Sequence, residues 1–153
     1  MILNRLPVRT WNRLGMNEAK FEKDLSAGAA DIWTAERACA SKPACVSVCD
    51  SDGKSEDPGY SKIHTAAGME VDEFLDEVNA PEILISVSEG THAPEPCKLR
   101  FDLRADMVSV ARVNIDAPRD SEFTVIMNYA SSAEADGIAV VQTRLRLAKG
   151  ARV

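Results

Sequence analysis

Aromatic side chains are scarce in this chain of 153 residues, which holds four Phe, two Trp and two Tyr. A core therefore has to be built mainly from Val, Ile, Leu and Ala, the other residues that are most often buried. No apolar stretch approaches the ~20 residues that a membrane-spanning helix needs. Hydrophobic residues still make up 45% of the chain and charged residues 27%, which is typical of a globular protein and argues against disorder over the whole chain.

An excess of positive charge is also missing. Lys and Arg total 18 against 24 Asp and Glu, which gives a net charge of -6. This balance argues against a dedicated nucleic-acid binder and against attachment to anionic lipid, since both need a basic surface. The first residues lack the apolar core of a secretory signal, because Arg5, Arg9 and Arg13 interrupt them. We therefore expect a cytoplasmic protein with no nucleic-acid or membrane partner.

Cysteines are few, and their spacing is wide. Cys39, Cys45 and Cys49 lie near one another, whereas Cys97 stands apart. Zinc and iron–sulfur sites favour tight Cys pairs, but the spacers here hold five and three residues, and a fourth ligand would have to be Cys97 or His64. Cys39, Cys45 and Cys49 are thus the candidates for a metal site, yet we predict reduced, partly buried free thiols and no bound metal.

Signatures of catalysis are missing as well. The sequence has no Walker loop and no glycine-rich dinucleotide fingerprint. Asp50, Asp52 and Glu56 imitate the opening of a calcium loop, but the positions between them depart from that pattern. His64 and His92 have no nucleophile or acid at an informative spacing. We therefore predict no catalytic or cofactor-binding residue and do not expect an enzyme.

Residues 1–80 are expected to form a helical N-terminal region. Asn17 is a suitable N-cap, and a flexible loop is predicted over about residues 41–68, in which the run from Asp50 to Gly59 has almost nothing to bury and contains turn-favouring residues. A helix with an apolar stripe and an acidic face is predicted from Met69 to Asn79. After Asn17, apolar residues recur at helical spacing at Phe21, Leu25, Ala29, Ile32 and Trp33. Gly28 lies in the middle of this run, so the prediction is either one helix or two short ones.

Residues 81–153 alternate apolar and polar residues with the period of β-strands. Turn-forming residues separate the apolar runs, and no helical pattern lies between them. The residues that mark the five predicted strands are the compact run Ile83, Leu84, Ile85, Ser86 and Val87; Leu99, Phe101 and Leu103; Val108, Val110, Val113 and Ile115, with one shift of phase; Phe123, Val125 and Met127; and Ile138, Val140, Thr143, Leu145 and Leu147.

About five strands are too few for a closed sandwich or barrel, which needs about seven. A solenoid of stacked coils holds such strands but needs a neighbour or cap at each open end. The sequence stops after a turn at Lys149 and Gly150, where another strand would begin. We therefore expect residues 81–153 to be the first coils of a β-helix that is truncated at Val153.

Four stretches of the sequence support this interpretation by their order along the chain: LPVRTWNRLGMN, PEILISVSEGT, EFTVIMNYASS and DGIAVVQTRLRLAKGARV. The first resembles the start of SufD-like members of the SufB/SufD family of iron–sulfur cluster assembly proteins. The others resemble the beginning and the early coils of that family's β-rich core. The resemblance implies a mostly β fold with N-terminal helices, in which a helical or irregular region precedes a right-handed parallel β-helix.

The resemblance also implies a role as a scaffold. SufB-like and SufD-like subunits pair and engage a SufC-like ATPase, and family members are far longer than this chain. The residues that build the cluster and contact the ATPase lie late in those proteins, so no active-site residue is carried over. We expect the N-terminal part of a SufD-like subunit, non-catalytic in itself, with an iron–sulfur cluster only in the full complex.

The alternative function is that of a self-contained small β-rich ligand-binding protein or an unrecognised hydrolase, which would need a pocket with convergent polar groups. If the chain ends within a β-helix, the strand near Thr143 to Leu147 offers an open edge, and self-association through that edge is expected.

Overall fold

The computed structural model describes residues 2–3, 19–20, 30–51, 69–80, 82–131 and 137–153. The fold is mostly β, as predicted, with few helices and a larger sheet that curls into a half-barrel. Neither described helix is long and apolar enough to cross a membrane. The elements are β1 (Ile2–Leu3), β2 (Ala19–Lys20), β3 (Ala30–Ile32), α1 (Ala35–Ala38), β4 (Cys39–Ser41), β5 (Val46–Ser51), α2 (Met69–Glu77), β6 (Glu82–Val87), β7 (Cys97–Asp102), β8 (Val108–Ala117), β9 (Val125–Ala130) and β10 (Ile138–Leu147).

The larger sheet is built around β8. β10 runs parallel along one edge of β8, while β3 and β6 lie parallel to it along the other edge. β3 pairs with the first residues of β8, and β6 pairs with the later ones. β5 runs antiparallel to β6 and forms the far edge of the sheet.

The smaller sheet is centred on β7. β9 runs parallel to one edge of β7, and β4 runs antiparallel to the other, with an irregular register between Cys39 and Ser41. Alternate residues of β7 point towards the larger sheet, so the two sheets enclose a common core. Apart from these sheets, β1 and β2 form an antiparallel pair.

The parallel strands keep a nearly constant offset along the chain. In the larger sheet, Glu82 lies beside Arg112 and Arg112 lies beside Gln142, so each partner is thirty residues further on (112 − 82 and 142 − 112). In the smaller sheet, Cys97 lies beside Val125, an offset of twenty-eight residues (125 − 97). The β-rich part of the chain therefore repeats about every thirty residues in space.

The turns after β6, β8 and β10 repeat with the same offset. Gly90, Asp120 and Gly150 each have a positive φ, of 69°, 54° and 78°. The N–H of Gly90 donates to the carbonyl of Arg119 (3.0 Å), and the N–H of Asp120 donates to that of Lys149 (3.1 Å). Gly and Asp are among the residues that tolerate this left-handed conformation, so the turns stack without repeating one sequence.

These offsets divide the β-rich part into three stacked levels. Level one comprises residues 82–102, level two comprises residues 108–130, and level three comprises residues 138–153. Each level contributes one strand to the larger sheet, and levels one and two each contribute one strand to the smaller sheet. β4 and β5 lie antiparallel on the side of level one that faces away from level two.

The core between the two sheets contains most of the few aromatic rings that the structure describes. Trp33 and Phe101 meet edge to face with 5.0 Å between ring centres, and Tyr129, which is half-exposed, stacks on Phe101 at 5.2 Å. Such pairs stabilise a core beyond the area that they bury. The remaining buried residues are mainly aliphatic, among them Val46, Ile83, Ile85, Leu99, Val113, Ile115 and Ala117.

Both faces of β8 are buried, and this explains the shift of phase in its apolar pattern. Val113 and Ile115 face the core between the sheets, whereas Val108 and Val110 belong to a second cluster on the outer face. A strand that is covered on both faces carries apolar residues on both sides rather than one strict alternation. The residues of α2 that cover the outer face are Val71, Phe74 and Leu75.

The predicted N-terminal helix is wrong where it can be compared with the structure. Its apolar pattern extends to Trp33, but Ala30–Ile32 form β3 and Ala19–Lys20 form β2. Trp33 is buried while Ile32 is exposed, because pairing with β8 sends successive side chains to opposite faces. Asn17 and residues 21–29 lie outside the described residues.

The other predicted elements agree better with the structure. The helix from Met69 is confirmed as α2, and the five strands are confirmed as β6 to β10. Residues 41–68 were expected to form a loop, but Val46–Ser51 form β5, since pairing with β6 supplies partners that local sequence does not reveal. Residues 52–68 lie outside the described part of the chain.

Replacing Ile115 by Ala should lower the free energy of unfolding by about 2–5 kcal/mol, because it leaves a cavity in the core. The matched control is Leu145→Ala, since Leu145 lies beside Ile115 in level three but is half-exposed. This control should cost less than about 1 kcal/mol, because little buried area is removed. Urea unfolding followed by circular dichroism measures both values, and equal losses would contradict the described packing.

Candidate functional site

The predicted metal-ligand candidates are spread over different elements. Cys39 is half-buried in β4 of the smaller sheet, whereas Cys49 is exposed in β5 of the larger sheet. Cys45 is also exposed, in the turn before β5, so the predicted partial burial is wrong for Cys45 and Cys49. All four cysteines of the chain are free. Within the described ranges, no three His, Cys, Asp or Glu side chains are grouped so that they could hold a metal ion.

Cys97 is the cysteine that the core encloses completely. Burial raises the pKa of its thiol to about 11, with a further upward contribution from Cys39 in the neighbouring strand. The thiolate is the form that attacks electrophiles and binds metals, so Cys97 is chemically quiet at neutral pH. We assign Cys97 to the packing of the core.

Two other residues singled out in the sequence have structural partners. Asp50 Oδ1 accepts a hydrogen bond of 2.6 Å from the N–H of Ala35, at the start of α1. His92 lies exposed in a turn, with Nδ1 at 3.5 Å from Oε2 of Glu122. Neither residue meets the partners that calcium binding or acid–base catalysis would need. Three of the singled-out residues lie outside the described ranges: Asp52, Glu56 and His64.

An ion pair fixes β3 to α1. The guanidinium of Arg37 donates hydrogen bonds of 2.7 and 2.8 Å to the two carboxylate oxygens of the buried Asp31. Arg37 thereby holds the pKa of Asp31 below its ordinary value, and its guanidinium also lies 5.8 Å from the centre of the Trp33 ring. A carboxylate held ionised in this way is a poor proton donor at neutral pH, so we assign Asp31 a structural role.

One carboxylate joins all three levels on the outer face of the larger sheet. Glu82 of level one accepts a hydrogen bond from Nδ2 of Asn114 in level two (2.8 Å). Its other oxygen accepts from Nη1 of Arg144 in level three, at 3.4 Å. Arg144 and Asn114 are both more than nine-tenths buried, so their pairing with Glu82 offsets a large cost of desolvation.

Two carboxylates of α2 extend this polar group. Asp76 pairs with Arg112, and Asp72 accepts a hydrogen bond from Gln142 at 3.3 Å. The guanidinium groups of Arg112 and Arg144 thus face the three carboxylates of Glu82, Asp72 and Asp76. Because these residues include no nucleophile, we interpret the group as a polar contact that joins α2 to the sheet. Among the residues that the structure describes, four buried atoms of this group have no hydrogen-bond partner: Arg112 Nε, Asn114 Oδ1, Gln142 Oε1 and Arg144 Nε.

Level three exposes the apolar positions that level two buries. Ile115 is 2% exposed, but Leu145 beside it is 47% exposed; Ala117 is fully buried, but Leu147 beside it is 53% exposed. Among the described strands, β10 has a partner only on the side of β8, and β9 has one only on the side of β7. We call the uncovered side of residues 138–153 the open end.

The sequence of residues 138–153 is basic, although Arg144 is buried and pairs with Glu82. Residues 138–153 contain four cationic residues and no Asp or Glu. Sequence reasoning missed this feature, although the run of cations without an acid is visible in the printed sequence. The four cationic residues are Arg144, Arg146, Lys149 and Arg152.

Two cations of level three form ion pairs with acids of level two. Arg146 Nε lies 2.8 Å from Asp116 Oδ1, and Arg152 Nη1 lies 3.8 Å from Glu122 Oε2. Glu122 also faces His92 of level one, so along the turns one acid lies between a histidine and an arginine.

Comparisons of the chain with protein-family models, with curated proteins and with solved structures return no match. The described residues form a β-rich protein of stacked levels, in which β4 and β5 lie beside level one and no described strand lies beyond level three.

In the folded protein, Cys45 and Cys49 should react rapidly with Ellman's reagent, because both side chains are exposed. Cys97 should react only after unfolding, since it is buried and its raised pKa keeps it protonated. The number of thiols that react fast, compared with the number in guanidinium chloride, measures this difference. If zinc protected Cys45 and Cys49 from the reagent at one equivalent, the structural assignment would be overturned.

Proposed function

We propose that this chain is the N-terminal part of a SufD-like subunit of an iron–sulfur cluster assembly scaffold, non-catalytic in itself. The proposal joins the resemblance of four sequence stretches to that family with one structural observation, the thirty-residue offset of the parallel strands and turns. Parallel strands stacked at a constant offset are the arrangement of a solenoid, in which each unit contacts only its neighbours.

The proposed architecture is a right-handed parallel β-helix whose first coils are levels one to three. Hydrogen bonds between successive turns support it: the N–H of Ala93 donates to the carbonyl of Glu122 (2.8 Å), and that of Phe123 donates to Arg152 (3.2 Å). Polar contacts from Glu82 to both higher levels support it as well. A right-handed course is proposed because crossovers between parallel strands are almost always right-handed.

The part of the chain before level one would act as a cap. β5 pairs with the edge of β6, and β4 pairs with the edge of β7, both antiparallel. Trp33 is buried against Phe101, so the cap is also fastened to the core. An uncovered strand edge invites pairing with other chains, and solenoids need such a terminal unit to stay in solution.

A SufB-like subunit and a SufC-like ATPase are the partners in this proposal, and an iron–sulfur cluster would belong to the full complex. We assign no described residue to the cluster or to ATP. The contribution of this chain would be mechanical, because a stack of rigid coils holds partner surfaces at fixed distances. The free thiols suit the reducing cytoplasm in which such a complex works.

Co-purification tests the proposal. The tagged chain should retain the SufB-like protein of the same organism when both are co-expressed with the SufC-like ATPase. Gly137→Val should abolish this retention, because a Cβ at Gly137 would lie 2.2 Å from the carbonyl oxygen of Arg104 and would displace level three.

The matched control is Gly90→Asn, at a glycine whose Cβ position is open and whose positive φ Asn tolerates. This variant should retain the partner as the unchanged chain does. Failure of the unchanged, folded chain to retain either partner would contradict the proposal. Saturable binding of a small molecule in a thermal-shift screen would instead favour a self-contained ligand-binding protein.

A further inference from the structure

We propose that α2 is a releasable cover of the larger sheet, which detaches and unfolds as a unit while both sheets keep their pairing. Release uncovers a strip on the outer face of β8 that runs from Val108 to Arg112. Proteins open locally in cooperative units at a lower free energy than global unfolding, and the elements that move in regulation belong to such units. The inference is independent of the partners named in the proposed function.

The first argument is that the sequence of α2 does not sustain a helix by itself. Isolated helices shorter than about 12–15 residues are marginal in water, and α2 has nine residues. It contains no basic residue and five acids: Glu70, Asp72, Glu73, Asp76 and Glu77. Glu73 lies three or four positions from three of the other acids, a spacing at which like charges repel each other. The helix therefore depends on its contacts with the sheet.

The second argument is that the apolar contacts of α2 are separate from the main core. Val71, Phe74 and Leu75 pack in one cluster with Val108 and Val110 of β8. This cluster shares no buried residue with the core that lies between the two sheets. Loss of the contacts of α2 therefore leaves the main core and the pairing of the strands intact.

The third argument is the set of unpaired polar atoms that the docked helix helps to enclose. Arg112 Nε and Gln142 Oε1 are excluded from solvent and have no hydrogen-bond partner among the residues that the structure describes. The helix contacts both side chains, through Asp76 and Asp72. A buried polar atom without a partner costs free energy, and water satisfies it once it is exposed. Release of α2 thus removes a cost that its docking imposes.

The fourth argument is that Arg112 keeps a carboxylate beside it when α2 leaves. Glu82 of β6 lies next to Arg112 in the register of the larger sheet, and neighbouring side chains of opposite charge attract each other. The ion pair of Arg112 with Asp76 is itself weak, because the Asp76 side chain is mostly exposed and water competes for it. Release therefore does not strand a charge on the sheet.

Native-state hydrogen exchange, measured by NMR and corrected for intrinsic rates, tests the release. The N–H groups of Val78 and Ala80 donate to the carbonyls of Phe74 and Leu75. They should exchange at least about 100-fold faster than the N–H of Val113 in β8. Low concentrations of guanidinium chloride should hardly change their rates, because release exposes little surface. Equal protection of α2 and β8, with the same dependence on denaturant, would overturn the inference.

A proline variant shows whether the sheets persist without the helix. Glu73→Pro should abolish α2, because proline in a helix interior removes a hydrogen bond and clashes with the preceding turn. The nuclear Overhauser contacts of Ile83 with Val113 and of Val113 with Thr143 should remain, because they report only the pairing of strands. Loss of these contacts in the variant would show that α2 is an integral part of the fold and would overturn the inference.

The matched variant at the same exposed position is Glu73→Lys, which keeps a helix-forming residue and reverses its charge. Because the new cation attracts Glu70, Asp76 and Glu77, exchange of the Val78 N–H should slow by about threefold. The exchange rate of the Val113 N–H should stay unchanged, since Val113 lies in the main core. Equal slowing at Val78 and Val113 would show that α2 opens only with the whole protein, which contradicts the inference.

Discussion

The pairing of β8 along both of its edges is the constraint on which the described structure depends. One edge holds β10 over ten residues, and the other edge holds β3 and β6 in succession. Because β6, β8 and β10 are parallel, the chain must run back between one of these strands and the next. The two return segments contain β7 and β9, which pair in the second sheet. The two-sheet core and the stacked turns follow from that path.

Burial of both faces of β8 then divides the side chains into two environments. The inner face is apolar and closes against the smaller sheet. The outer face is apolar under α2 and polar beyond it, where Glu82 links all three levels and Asp76 of α2 meets Arg112. α2 therefore contacts the larger sheet through an apolar cluster and, beside it, through the ion pair of Asp76 with Arg112. We infer that this polar group specifies one docking position for α2 more than it adds stability.

Strands were predictable where the local pattern was strong, and elements were missed where tertiary pairing overrides it. The alternation in β6 to β10 and the amphipathic run of α2 are visible in the sequence. The apolar residues around β3 have helical spacing, and β5 contains only two valines among one cysteine and polar residues. Both segments form strands because they pair with strands far along the chain, β8 and β6. The open end was partly predictable as an edge, but its charge matching needs the register that places Arg146 on Asp116 and Arg152 on Glu122.

Nuclear Overhauser contacts between strands test the stacking of levels most directly, and a chain of 16.6 kDa suits the experiment. The account predicts backbone contacts between residue pairs thirty apart in the larger sheet, namely Ile83 with Val113 and Val113 with Thr143. It also predicts contacts between Phe101 and Tyr129 in the smaller sheet. Strong Hα–Hα contacts between β8 and β9, or between β9 and β10, would show an antiparallel meander instead and would contradict the account.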